Sequence, residues 1–172
     1  MKNSTLRWIY VSLLFNLSFF PLAYGADYKS VSEIIGHYKT QIVNLDNLDA
    51  EDRDYFKKSE PGRSPGIVKA DFNGDGKIDL ALLTRSELLF FLCADSCKLI
   101  KSIDYGGFFG IQYIVPITKG QVVEAFDGAD IPPVPSVKLK NTAVHLIFSG
   151  KASMAYYWDS AIYDFSKIVT ND

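Results

Sequence analysis

Along the chain, apolar and polar positions change their period once. Between residues 28 and 58 the spacing is helical. Ser30-Val31-Ser32-Glu33 has the form of a capping box, and Ile34, Ile35, Tyr38 and Ile42 follow at helical intervals. A second short helix is expected over 48–57, with Asp49, Glu51 and Asp52 in a first turn that favours negative charge. Ser59-Glu60-Pro61-Gly62 and Arg63-Ser64-Pro65-Gly66 then break the pattern. From residue 66 onward the chain becomes short apolar or alternating runs bounded by turn residues, the signature of strands. These are 66–70, 78–83, 88–92, 98–103, 111–117, 121–126, 137–140 and 143–148. A closing aromatic hairpin runs over 152–158 and 161–168, turning at Asp159-Ser160. Tyr156, Trp158, Tyr163 and Phe165 occupy alternate positions there, as a core face or a partner-binding patch. The expected fold is α+β and mainly β: an N-terminal helical segment, then an antiparallel sheet domain, propeller-blade-like or a sandwich.

The chain starts differently from the rest. Lys2 and Arg7 precede a mostly apolar stretch at 8–20, Pro21 breaks it, and Ala23-Tyr24-Gly25 supplies small residues. That order matches a secretory signal peptide over residues 1–25, cleaved near Gly25–Ala26. A transmembrane anchor is the competing reading, but 13 residues interrupted by Asn16 are too short for the bilayer core. The expected product is periplasmic or secreted, with no stable membrane span after cleavage. Removing 25 residues from 172 leaves 147, a single domain over 26–172, and takes the net charge from −2 to −4. Such a mild negative charge argues against nucleic acid or an anionic membrane as partner. An aromatic content of 14% suits packed strands.

Two cysteines, Cys93 and Cys97, frame Ala94-Asp95-Ser96 between two strand-like runs. In an exported protein they are expected to form a disulfide across a hairpin. A metal pair or a redox-active pair is the alternative, although the spacing departs from C-x-x-C and the chain has only 2 His. Those two are His37 on the first helix, read as a surface residue, and His145, read as a satisfied residue within a strand.

The densest chemistry lies in Asp71-Phe72-Asn73-Gly74-Asp75-Gly76-Lys77-Ile78-Asp79. Asp71, Asn73, Asp75 and Asp79 offer side-chain oxygens, Lys77 its carbonyl, and Asn73-Gly74 and Asp75-Gly76 are turn dipeptides. Three carboxylates so close repel one another unless a hard divalent cation joins them. The spacing follows D-x-[DN]-x-[DN]-G and points to Ca²⁺, with a plain acidic turn as the alternative. An EF-hand is excluded, because loop position 12 is Leu82 and the flanking runs are strands.

The stretch 70–81 resembles the calcium loop of FG-GAP/VCBS-type repeats, as in integrin-α propellers. The resemblance implies a loop joining two strands, with calcium held by the side chains of Asp71, Asn73, Asp75 and Asp79 and the carbonyl of Lys77. Only one such loop occurs, and the Phe-Gly pair Phe109-Gly110 follows it, so a complete propeller is excluded. Small secreted bacterial proteins with a single loop of this kind look similar over more of the chain, and they imply no activity.

G-x-S-x-G, H-E-x-x-H and a phosphate-cradling glycine loop are all missing from the sequence. Three functions remain open. The first is an exported calcium-binding or structural module that inhibits or escorts another envelope or extracellular protein. The others are a calcium-dependent hydrolase of an envelope polymer and a surface adhesion module. Convergence of the loops at 105–110 and 132–135 on a cleft would favour the enzyme.

Overall fold

In the computed structural model, residues 27–105, 112–126, 136–149 and 152–170 are described. The expected leader at 1–25, residues 106–110 and the proline-rich loop at 127–135 lie outside them.

A short strand β1 (Asp27–Tyr28) leads into helix α1 (Val31–Tyr38). Ser30 caps α1 by accepting the Glu33 N–H at 3.2 Å, and the Glu33 carboxylate accepts the Lys29 N–H at 2.7 Å. The helix stops one turn short of Ile42, which is buried and bridges to Thr84 instead. Pairing with the sheet outweighs another helical turn through β-branched Thr40. After a 3-10 turn (Leu45–Asn47), helix α2 (Ala50–Ser59) begins at Asp49, which accepts the Asp52 N–H at 2.9 Å. Its one buried residue, Phe56, stands edge-on to Tyr113 at 5.5 Å.

Two antiparallel sheets follow. Strands β2 (Ile67–Ala70), β3 (Asp79–Leu83), β4 (Glu87–Cys93) and β5 (Cys97–Asp104) join β1 in a five-stranded sheet of order β1-β5-β4-β3-β2. The second sheet holds β6 (Gln112–Ile117), β9 (Ala143–Phe148), β10 (Ala152–Asp159) and β11 (Asp164–Thr170), in the order β11-β10-β9-β6. A two-stranded ribbon, β7 (Val122–Val123) with β8 (Val137–Lys138), is shorter than the runs at 121–126 and 137–140 predict. Past β7 the chain turns to the second sheet, where Phe126 N–H bonds the Val169 carbonyl at 2.9 Å.

The two sheets share one core, which makes the domain a sandwich and not a single blade. Phe72, Ala81, Leu83, Leu88 and Phe90 from the first sheet and its loops meet Ile114, Val144, Leu146, Tyr156 and Phe165 from the second. Phe90 and Phe165 stack at 4.1 Å. The outer face of the first sheet packs Leu80, Leu82, Leu89 and Phe91 under Ile34 of α1. Strand β3 is therefore buried on both faces, which explains why Leu80-Ala81-Leu82-Leu83 is apolar throughout instead of alternating. The aromatic row predicted for the last hairpin is interrupted. Tyr156 and Phe165 are buried and Trp158 packs edge-on to Phe165 at 5.4 Å, but Tyr163 is 79% exposed. Its φ of 51° places it in the turn that joins β10 to β11, not in the strand.

Candidate metal centre

The loop 71–78 closes one end of the sandwich. Strands β2 and β3 pair with Ala70 opposite Asp79, so the acidic segment connects two adjacent, hydrogen-bonded strands. Phe72 anchors it: the fully buried ring stands edge-on to Phe90 at 6.2 Å and to Phe165 at 5.9 Å. An aromatic between two ligand-type residues is what pins the loop to both sheets at once.

With the backbone anchored, the loop's side-chain oxygens are oriented by its own N–H groups. Asp71 accepts the Gly74 N–H at 2.6 Å through Oδ1 and the Gly76 N–H at 2.9 Å through Oδ2. Asn73 Oδ1 accepts the Asp75 N–H at 3.0 Å, and Asp75 Oδ1 accepts the Lys77 N–H at 2.8 Å. The Asn73 amide also donates to Asp75 Oδ2 at 3.2 Å. Gly74 and Gly76 have φ of 84° and 81°, a region that costs other residues strain, and this is what lets the chain coil around Asp71.

Asp79 sits beneath the loop and is fully buried. Its Oδ2 accepts the Phe72 N–H and its Oδ1 the Cys93 N–H, both at 2.9 Å. Burial pushes its pKa up to about 6 against the opposing pull of those two N–H groups, and the charges of Asp75 and Asp71 add to the rise. The sequence marks Asp79 as a ligand-type residue of the loop. Only the fold reveals that it also joins the loop to the 93–97 hairpin.

Among the described residues, the ion pairs involve Glu60, Asp27 and Asp164, and no Lys or Arg pairs with the loop carboxylates. Their donors are neutral N–H groups, and a carboxylate oxygen that accepts one such bond keeps a second lone-pair site. Donors of oxygen alone suit a hard cation such as Ca²⁺. Among the described residues no three His, Cys, Asp or Glu side chains converge as a cage.

Cys93 and Cys97 are joined by a disulfide and face each other in the β4–β5 ladder. A shallow cleft lined by Asn73, Asp75, Cys93, Asp95 and Ser96 lies between the loop and this hairpin tip. The two histidines lie elsewhere. His37 is exposed, with its ring near those of Tyr28 at 5.7 Å and Tyr38 at 4.8 Å. His145 Nε2 lies 3.0 Å from Thr170 Oγ1, which is 2.6 Å from Ser153 Oγ, so it is satisfied within its sheet. Comparison with protein-family models, curated proteins and solved structures found no match to this chain.

Proposed function

We propose that this chain is an exported module that binds Ca²⁺ in its 71–79 loop and uses the stiffened sandwich to bind another protein of the envelope or the cell exterior, inhibiting or escorting it. One observation carries the calcium assignment: Asp71 and Asp75 are oriented by the loop's own N–H groups, Asp79 lies beneath them on the Phe72 and Cys93 N–H groups, and none of the three pairs with a Lys or Arg among the described residues. Asp71, Asn73, Asp75 and Asp79 would hold the ion through side chains and Lys77 through its carbonyl. The ion supplies positive charge where the fold concentrates negative charge, and it favours the folded loop over the open chain. Export rests on the charged, apolar and small-residue order of residues 1–25.

Calorimetry and thermal unfolding of the mature protein test the assignment. Calcium should bind with a Kd on the order of 10⁻⁵–10⁻³ M, the range of extracellular modules. At 100 times Kd it should stabilise the fold by about 2.7 kcal/mol. Magnesium should do less, because it demands tighter octahedral geometry. Asp75→Ala should lose most of the calcium-induced rise in Tm. No binding at millimolar calcium, or an unchanged rise in that variant, would leave the loop a plain acidic turn.

A further inference from the structure

The two sheets part along one side of the sandwich, between their edge strands β2 and β6. One backbone bond, from the Ile114 N–H to the Pro65 carbonyl at 2.8 Å, joins the two edges. That bond turns the Ile114 backbone away from β9, and alternation along β6 turns Pro116 the same way. Proline has no N–H to give, so the edges do not pair further, and a cleft of about 540 Å³ opens between them. Arg63, Ser64, Lys69, Pro116, Thr118 and Thr142 are among the residues that line it, and no carboxylate is.

The register shows what β2 presents to this cleft. Leu83 N–H bonds the Gly66 carbonyl at 2.9 Å, so residues 66, 68 and 70 turn their backbone groups to β3. Ile67 and Lys69 therefore turn theirs outward. The Ile67 N–H is taken by the Ser64 carbonyl at 3.2 Å. Among the described residues, no backbone bond from outside reaches the Ile67 carbonyl or the N–H and carbonyl of Lys69. Lys69 is exposed and stands outside the ion pairs of the described residues. Arg63 holds Glu60 at 3.0 Å, with its own side chain still 53% exposed.

We propose that β2 is a docking edge: an extended, acidic segment of the partner protein adds beside it as a further strand. The inference rests on the protein-binding half of the reading above and does not depend on calcium. The segment's backbone gives an acceptor to the Lys69 N–H and donors to the Lys69 and Ile67 carbonyls, the bonds that strand addition supplies. Its carboxylates meet Lys69 and Arg63, and the cleft adds the hydroxyls of Ser64, Thr118 and Thr142. The 4 residues of β2 span about 13 Å, so a short segment is enough. A second copy of this chain fits worse. Pairing β2 with itself about Lys69 sets two lysines directly opposite, which is destabilising. An edge lysine thus rejects its own copy and admits an acidic strand.

A short fluorescent peptide of alternating Glu and Thr, titrated with the mature protein and followed by anisotropy, tests the edge. Binding should be lost when the same peptide is N-methylated throughout, which keeps its charge but removes its donors, and when Lys replaces Glu. Lys69→Glu should weaken binding about tenfold or more, because it sets like charges together. Lys167→Glu makes the same change on an exposed residue of β11, at the far edge of the second sheet, and should leave binding unchanged. In the complex the Lys69 N–H should exchange with deuterium about tenfold more slowly, as a bonded amide does. Circular dichroism checks that each variant is folded. No binding of the Glu/Thr peptide, equal binding of its N-methylated form, or equal loss in the two variants would overturn the docking edge. So would a dimer in sedimentation whose Lys69 N–H is protected without peptide. Crosslinking in envelope extract separates this inference from the reading it rests on. A crosslinked protein should be lost in Lys69→Glu and displaced by the Glu/Thr peptide. No crosslinked protein at all would overturn the binding reading itself, and one that survives both changes would overturn the docking edge alone.

Discussion

Gly74 and Gly76 share a backbone conformation but not their surroundings, and this pair separates two costs within one loop. A Cβ on Gly76 meets nothing within 4 Å, whereas one on Gly74 would lie 2.9 Å from Asn141 Oδ1, in the turn between β8 and β9. Gly76→Ala should therefore cost about 1–2 kcal/mol, the strain of a left-handed residue alone. Gly74→Ala should cost more, because the Asn141 side chain must also move. Urea unfolding of the two variants measures the difference, and combining Gly74→Ala with Asn141→Ser should remove most of it. Equal losses in the two single variants would mean that the Asn141 side chain yields freely. The same turn contact shows that the loop belongs to both sheets, although it joins two strands of only one.

Among the elements, the β4–β5 hairpin and the start of β11 hold the sheets in place. The hairpin carries the disulfide, so thiol labelling of the denatured, unreduced protein should find no free cysteine. Two labelled cysteines would place the chain in a reducing compartment. Midway along β5, Lys101 Nζ reaches across to the other sheet and donates to Asp164 Oδ2 and to the Phe165 carbonyl, both at 2.7 Å. Burial alone would raise the Asp164 pKa, but the Lys101 hydrogen bond, the Phe165 N–H and the Lys101 charge outweigh it and bring it below its ordinary 3.8. A lowered carboxylate pKa stabilises the fold above that ordinary value, and this contribution is lost as pH falls through the lowered one. Lys101→Met should cost about 1 kcal/mol or less near neutral pH, because the Asp164 side chain is 41% exposed and screened. As pH falls through the lowered Asp164 value the cost should shrink to that of the Phe165 hydrogen bond, which does not titrate. Urea unfolding of both proteins from pH 7 down through the acid range until Asp164 is protonated follows the change, and a difference that stays constant throughout would assign the whole effect to packing.

For the whole molecule, α1 packs against one face of the five-stranded sheet and the four-stranded sheet packs against the other, with Phe72 and the loop closing one end. Mass spectrometry of the protein recovered from the cell envelope should give a chain starting near Ala26. A retained Met1 would remove the basis for export, and with it the expectation that the cysteines are oxidised.

Local patterns alone determined much of this protein. The change from helical spacing to strand-length runs, the Ser30 cap and the Cys93–Cys97 hairpin depend on residues a few positions apart. So does the coiling of the chain around Asp71, through Gly74 and Gly76. Each is settled by backbone geometry and short-range hydrogen bonds that the sequence states directly. Tertiary structure decided what depends on distant partners. Helix α1 ends early because Ile42 finds Thr84, and Tyr163 leaves the aromatic row because the turn before β11 takes it. Sandwich and blade share the same strand pattern, and the choice fell to the sandwich because the inward faces of two sheets bury each other's aromatic residues. Asp79 has the spacing of a loop ligand in the sequence. Its bond to Cys93, 14 residues away, exists only because β3 and β4 lie side by side, and through it one carboxylate touches both the loop and the neighbouring hairpin.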